Sequence, residues 1–267
     1  MAPLTTTIGI ESWAGSGNSI LVTGGGSGGV AINSATLTLN TDEHDTTGAG
    51  GSAVTFMEKI GGLYSWSITT QGILKPDYLA SGTGVTFAAA TLRGVETAYT
   101  LNVNAQSSET TGKGSGVVSK TFLPGLLGWD GTLAVTTDNT NAMTMPASLT
   151  DDTTTFLVYD ETSDHTLEGR ATFLNLGQTH TLGQTATTNY TFTGDGALTA
   201  AGGSDYTPIY AAGALTKPTI GSIVFSVDGS REYSGDAFWT QVSISAPVGE
   251  PVRVSMQIQG TGALTPA

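Results

Sequence analysis

From Val252 to Ile258 the chain alternates without a break: Val252, Val254, Met256 and Ile258 on one side, Arg253, Ser255 and Gln257 on the other. A period of two is that of a strand with one dry face and one wet face. Just upstream stand Pro247, Gly249 and Pro251, which predict a turn, because a ladder does not tolerate them there. Before the turn Val242 and Ile244 alternate with Gln241, Ser243 and Ser245. The C-terminal unit therefore reads as strand, Pro/Gly turn, strand, with Gly260-Thr261-Gly262 as its stop. The same period marks Ala35 to Asn40 and Leu63 to Ile68, the latter with Trp66 as a large apolar anchor. Lys75-Pro76-Asp77-Tyr78-Leu79 predicts one short helix, proline being tolerated in a first turn. No long stretch shows a 3.6-residue period.

The pattern repeats internally. Shifted back by 66 residues, Gly235 to Thr265 falls on Gly169 to Thr199 without a gap, and Gly169, Ala171, Gly183, Gly194, Gly196, Ala197, Leu198 and Thr199 meet identical residues. Leu157-Val158-Tyr159 meets Ile223-Val224-Phe225 at the same offset. The first half has a looser echo. Thr38-Leu39-Asn40 recurs at Thr100, the run from Thr46 to Gly50 recurs at Thr110, and Thr55-Phe56 recurs at Thr121, with an offset drifting from 62 to 66. The simplest organisation without interlacing is nested: residues 1–90 and 201–267 form an outer lobe, and 91–200 a related lobe inserted into it. Insertion at an exposed loop is well tolerated when the inserted ends lie close together.

Two stretches also carry a resemblance. The run from Val242 to Thr265 resembles the C-terminal signature of the major tail proteins of long-tailed bacteriophages, which build the tail tube. Ser34 to Leu74 resembles the N-terminal half of the same family, through the acidic strand end before Thr46-Thr47 and the Gly-Leu-x-x-Trp-Ser strand at Gly62 to Ser67. The resemblance implies an all-β fold: a β-sandwich with one helix, whose inner sheets close into a barrel between subunits, so that stacked rings conduct the genome. It implies an inner-sheet signature at Val242, Ile244, Pro247, Gly249, Pro251, Val252, Val254, Met256 and Ile258. It also implies an inter-ring stacking loop at Asp45, Thr46, Thr47, Gly48, Gly50 and Gly51. Expected partners are further copies of the chain, a tape-measure protein in the lumen, and tail-tip and tail-terminator proteins. DNA would pass through without specific binding, in a virion assembled in the host cytoplasm. Two related lobes per chain would make a six-fold ring from three chains. Against this, the first-half echo lacks the Gly-Leu-x-x-Trp-Ser strand and shows Gly128-Trp129-Asp130-Gly131 in its place, which leaves a hexamer with one tube lobe and one outer lobe open.

Composition agrees with an all-β chain. Charged residues are 12%, and 37 glycines with abundant Thr, Ser and Ala fill the space they leave. Nine Lys and Arg against 22 Asp and Glu give a net charge of -13, which repels nucleic acid and suits an acidic-walled conduit through which DNA slides. Without cysteine, disulfides and thiolate chemistry are excluded. The first residues lack a basic stretch followed by an apolar core, and no run approaches bilayer length, so the chain reads as soluble.

Motifs for chemistry are weak. Gly24 to Gly29 formally satisfies a dinucleotide fingerprint, but an alternating strand follows where a helix is required. Asp42-Glu43-His44-Asp45 alternates sides of an extended chain and lacks a converging ligand. Ser163-Asp164-His165 holds triad residue types, but neighbours in sequence cannot supply triad geometry. Asp151-Asp152 and Asp160-Glu161 lack the glycine-centred spacing of a calcium loop. No catalytic, metal or cofactor residues are expected. The second reading is a β-sandwich decoration or carbohydrate-binding module that does not polymerise.

Overall fold

The computed structural model describes residues 9–13, 30–45, 59–74, 85–87, 95–112, 118–136, 152–159, 165–201, 210–211, 214–215, 217–226 and 231–266. They form strands β1 (Gly9–Trp13), β2 (Val30–Asp45), β3 (Lys59–Leu74), β4 (Val85–Phe87), β5 (Val95–Glu109), β6 (Phe122–Thr136) and β7 (Asp152–Tyr159). Then come β8 (His165–Thr179), β9 (Thr187–Ala201), β10 (Tyr210–Ala211), β11 (Ala214–Leu215), β12 (Gly221–Ser226), β13 (Glu232–Pro247) and β14 (Arg253–Pro266). No helix occurs among the described residues, and the helix expected at Lys75 to Leu79 lies outside them.

All named pairings are antiparallel, and apart from the β10–β11 hairpin they make one sheet that does not close into a barrel. Its main path runs β2-β3-β14-β13-β5-β6-β9-β8-β7-β4, with β12 and β1 branching from β13. The branch arises because β13 is long enough to serve two neighbours on one edge. Glu232 to Ala237 pair with β12, and Gln241 to Pro247 pair with β5, while β14 runs along the other edge.

The strand order is the same motif twice. β2-β3-β14-β13-β12-β1 and β5-β6-β9-β8-β7-β4 follow one sequence of pairings, joined where β13 meets β5. In the long pairs the register irregularities fall at matching positions. Bulges fall between Thr41 and Glu43 and between Ala105 and Ser107, and again between Ile32 and Ser34 and between Glu96 and Ala98. Those between Ser234 and Asp236 and between Trp239 and Gln241 recur at Gly169/Arg170 and at Phe173/Asn175.

Register also corrects three readings of the sequence. Leu39 faces Trp66 and Val103 faces Trp129, so Leu39 corresponds to Val103 at an offset of 64, and Thr38 to Asn102 rather than to Thr100. Ile223 faces Gly235 and Thr154 faces Gly169, so Ile223 corresponds to Thr154 at 69, not to Leu157 at 66. The Gly-Leu-x-x-Trp strand is present in the second set after all, at Gly125-Leu126-Leu127-Gly128-Trp129, an offset of 63 from Gly62 to Trp66.

The two tryptophans occupy one kind of niche. Trp66 is 1% exposed, and its Nε1 donates to the carbonyl of Gly262 at 3.1 Å. Trp129 is 4% exposed, and its Nε1 donates to the carbonyl of Gly196, also at 3.1 Å. Each indole lies on a glycine backbone: a Cβ on Gly260 would sit 2.1 Å from Trp66, and one on Gly194 would sit 2.0 Å from Trp129. Gly196 and Gly262 have φ of 82° and 74°, a conformation other residues adopt only at a cost. Gly260-Thr261-Gly262 is therefore not a stop. β14 continues to Pro266, and the glycines form an irregular step at which the strand passes over the indole.

The core lies on the dry face. Val242, Ile244, Val252, Val254, Met256 and Ile258 are each at most 2% exposed, in one cluster with Tyr99, Leu101, Val103, Leu133, Phe192 and Trp239.

Candidate functional site

The face opposite the core is wet and rich in Ser, Thr, Asn and Gln. Eight consecutive strands, β2-β3-β14-β13-β5-β6-β9-β8, share it. Across their paired segments it carries Thr36 and Thr38, Ser65, Ser67, Thr69 and Gln71, Ser255 and Gln257, Gln241, Ser243 and Ser245, Thr100, Asn102 and Asn104, and Asn189, Thr191 and Thr193. Strict alternation puts these residues here, because their odd and even neighbours fill the core. Charged residues recur along the same strands, at Glu43, Glu109, Glu168, Arg170 and Asp195, and two more, Asp130 and Arg253, stand among the polar residues named above.

These last two charges are engaged. Asp130 accepts hydrogen bonds from Asn102 Nδ2 at 2.8 Å and Asn104 Nδ2 at 2.9 Å, and Ser243 Oγ donates to Asn102 Oδ1 at 2.7 Å. This polar chain stitches β13, β5 and β6 across the junction between the two strand sets. Arg253 pairs with Glu250 at 3.0 Å beside a shallow depression lined by Gln71, Ser243, Ser245 and Ser255.

The junction has a second clasp. Lys120 Nζ lies 2.8 Å from Asp42 and 3.9 Å from Glu109, while its backbone accepts from Gly262 N at 2.8 Å and donates to the carbonyl of Tyr64 at 2.8 Å. Phe122 N donates to Thr261 Oγ1 at 2.8 Å. The segment preceding β6 is thereby laid over the ends of β3 and β14. The hydrogen bond and charge of Asp42 hold the Lys120 ammonium above its ordinary pKa, against the opposing effect of burial.

The two sets differ at their edges. In the junction, Val103 and Val242 are 0% exposed. Their counterparts are Leu39, which is 56% exposed, and Leu176, which is only half-buried. Among the described residues no strand pairs with the edge of β8 opposite β9 beyond Ala171, or with the edge of β2 opposite β3.

The remaining expected positions sort as follows. Pro247 ends β13, Gly249 holds the turn with φ of 78°, and Pro251 opens the approach to β14. Asp45 is the last residue of β2, and Thr46, Thr47, Gly48, Gly50 and Gly51 lie outside the described residues, as do Gly24 to Gly29. Among the described residues no three His, Asp or Glu side chains gather as a metal site. Trp66, Trp129 and Trp239 are buried, so none of these three forms an aromatic platform for a sugar. The residue that sequence reasoning missed is Trp129. Its signal was the Gly-Leu-x-x-Trp spacing, three residues upstream of where the echo had been aligned.

The chain matches no protein-family model and no curated protein.

Proposed function

We propose that the protein is a structural subunit of a phage tail tube, assembling with copies of itself into stacked rings around a conduit for DNA. The observation that carries this reading is the run of eight strands with a face rich in Ser, Thr, Asn and Gln, along whose two sides no strand among the described residues pairs with β2 opposite β3 or with β8 beyond Ala171. An exposed edge is a liability in a lone subunit and becomes useful when neighbours close it. A lining rich in Ser, Thr, Asn and Gln, with Arg253 already paired to Glu250, offers phosphates few cations to grip, so DNA slides rather than sticks. The resemblance of Ser34 to Leu74 and Val242 to Thr265 to major tail proteins points the same way.

In this reading the two strand sets are two tube lobes, the second inserted into the first, and three chains complete a pseudo-six-fold ring. Three chains give about 24 strands. At ~4.8 Å spacing and a tilt of roughly 40°, they enclose a backbone diameter of about 48 Å. Side chains fill about 5 Å at each wall, half the usual spacing of packed sheets, and the remaining channel is wider than a DNA duplex. Tape-measure, tail-tip and tail-terminator proteins are the partners of such a tube, and the virion is its location.

Electron microscopy of the purified protein tests the proposal. End-on views should show hollow rings with three-fold symmetry and side views should show stacking. Compact particles that neither close nor stack would overturn it.

A further inference from the structure

The junction inside the chain is a template for a junction between chains. β13 reaches β5 through seven paired positions, Gln241↔Asn104 to Pro247↔Ala98, and Val248 N adds a bond to the Thr97 carbonyl at 2.9 Å. Both partners have counterparts elsewhere. Gln241 to Pro247 correspond to Asn175 to Thr181, and Ala98 to Asn104 correspond to Ser34 to Asn40. The following turn is also conserved in shape. Gly249 and Gly183 have φ of 78° and 80°, with Glu250 N donating to Pro247 and Gln184 N to Thr181. Within one chain the two counterpart edges lie at distant points of the strand order and do not pair with each other.

We propose that residues 175–182 of one chain pair with residues 34–40 of a second copy, in the register of the internal junction. This rests on the self-assembly reading above and specifies its interface. Leu176 then stands opposite Leu39, Gly177 opposite Thr38, and Thr179 opposite Thr36, while the Leu182 amide takes the place of Val248's. The exposure pattern names the occupant. Leu39 (56%) and Leu182 (104%) are open where Val103 is closed at 0% and Val248 is at 41%, and Leu37 is half-buried where Leu101 is closed. Residues 175–182 of a second copy, in this register, set Leu176 against Leu39 and bring Leu182 to the place of Val248, and the chain itself provides that strand. Because different surfaces meet, the contact is head-to-tail and propagates until a ring closes. It differs from its template on both faces: on the wet face Gly177 and Thr38 replace Ser243 and Asn102, so this seam lacks the polar stitch to Asp130, and on the dry face Gln178 and His180 replace Ile244 and Ala246.

The chain has no cysteine, which makes crosslinking a clean test. Thr38 is exposed, and a Cβ on Gly177 meets nothing within 4 Å, so the double variant Thr38→Cys/Gly177→Cys should keep the fold. Under oxidation it should give a covalent ladder ending at the copy number of the ring. Thr36→Cys/Gly177→Cys, two residues out of register, should crosslink at least ten-fold less. Mixing the two single variants should stop at covalent dimers. Rings in the microscope with no in-register preference would overturn the interface while leaving the tube reading standing. A register-specific ladder without hollow rings would support the interface and overturn the tube. Absence of both rings and ladder in a variant with native circular dichroism would overturn both.

Discussion

Replacing Gly194 by alanine tests whether the indole niche organises the fold. An added Cβ would lie 2.0 to 2.2 Å from three atoms of the Trp129 indole. The ring is held at two further points: a Cβ on Gly169 of the neighbouring strand would stand 2.6 Å from it, and its Nε1 is tied to the Gly196 carbonyl. Overpacking in a core costs about 1–3 kcal/mol, and disturbing the indole hydrogen bond adds about 1 kcal/mol. A total of about 2–4 kcal/mol corresponds to a fall in Tm of roughly 5–15 °C for a chain of this size. Gly177→Ala, in open space, is the control and should stay within about 0.5 kcal/mol of the parent. Urea unfolding followed by tryptophan fluorescence, at one fixed protein concentration, measures both. In a Trp129→Ala background the clash has no partner, so the further cost of Gly194→Ala should shrink by about 1–3 kcal/mol. Equal midpoints for Gly194→Ala and Gly177→Ala would refute the reasoning, as would an unchanged penalty in the Trp129→Ala background. Gly260→Ala with Trp66 should repeat the result in the other strand set.

Three further outcomes follow from single contacts. Glu96 is 5% exposed and accepts from Val85 N at 2.9 Å, so Glu96→Ala should cost about 1–3 kcal/mol and speed amide exchange at Val85, with Glu96→Gln milder. Asp130→Ala releases the amides of Asn102 and Asn104 and should raise hydrogen exchange across 98–104, costing about 1–2 kcal/mol by urea unfolding. Lys120 has a folded pKa above its unfolded one. Its contribution is therefore complete below the ordinary lysine value of about 10.4 and is lost as pH rises through the raised value, a loss that Lys120→Met should abolish.

The wet and dry faces were legible in the sequence because alternation is a local property: Val242 to Ile258 reads directly as structure. The 66-residue repeat was legible for the same reason, since β13 to β14 and β8 to β9 are hairpins with turns of one length. The first-half repeat was obscured by physics as much as by chance. Thr and Asn recur on every wet face, so Thr100-Leu101-Asn102 offered a false match two residues away from the true register. Core partners also changed together. Ile68 opposite Ile258 became Gly131 opposite Phe192, whose ring now occupies the space of the missing side chain, within 2.6 Å of where a Cβ on Gly131 would be. Such exchanges conserve volume while erasing identity. Gly260-Thr261-Gly262 misled because glycine pairs ordinarily break strands, and only the indole lying against Gly260 explains why this one continues.

The β13–β5 seam lies within one polypeptide, and that changes how it responds to concentration. A contact between separate molecules weakens on dilution, whereas one between tethered segments experiences a fixed effective concentration. This seam therefore persists at any protein concentration at which the chain is folded, free to carry an exacting hydrogen-bonded chain through Ser243, Asn102 and Asp130. A seam without a tether answers to mass action, and a plainer surface such as Gly177 leaves it able to open and re-form. In the proposed ring, fusion of two strand sets into one chain divides the labour between a permanent joint and a reversible one.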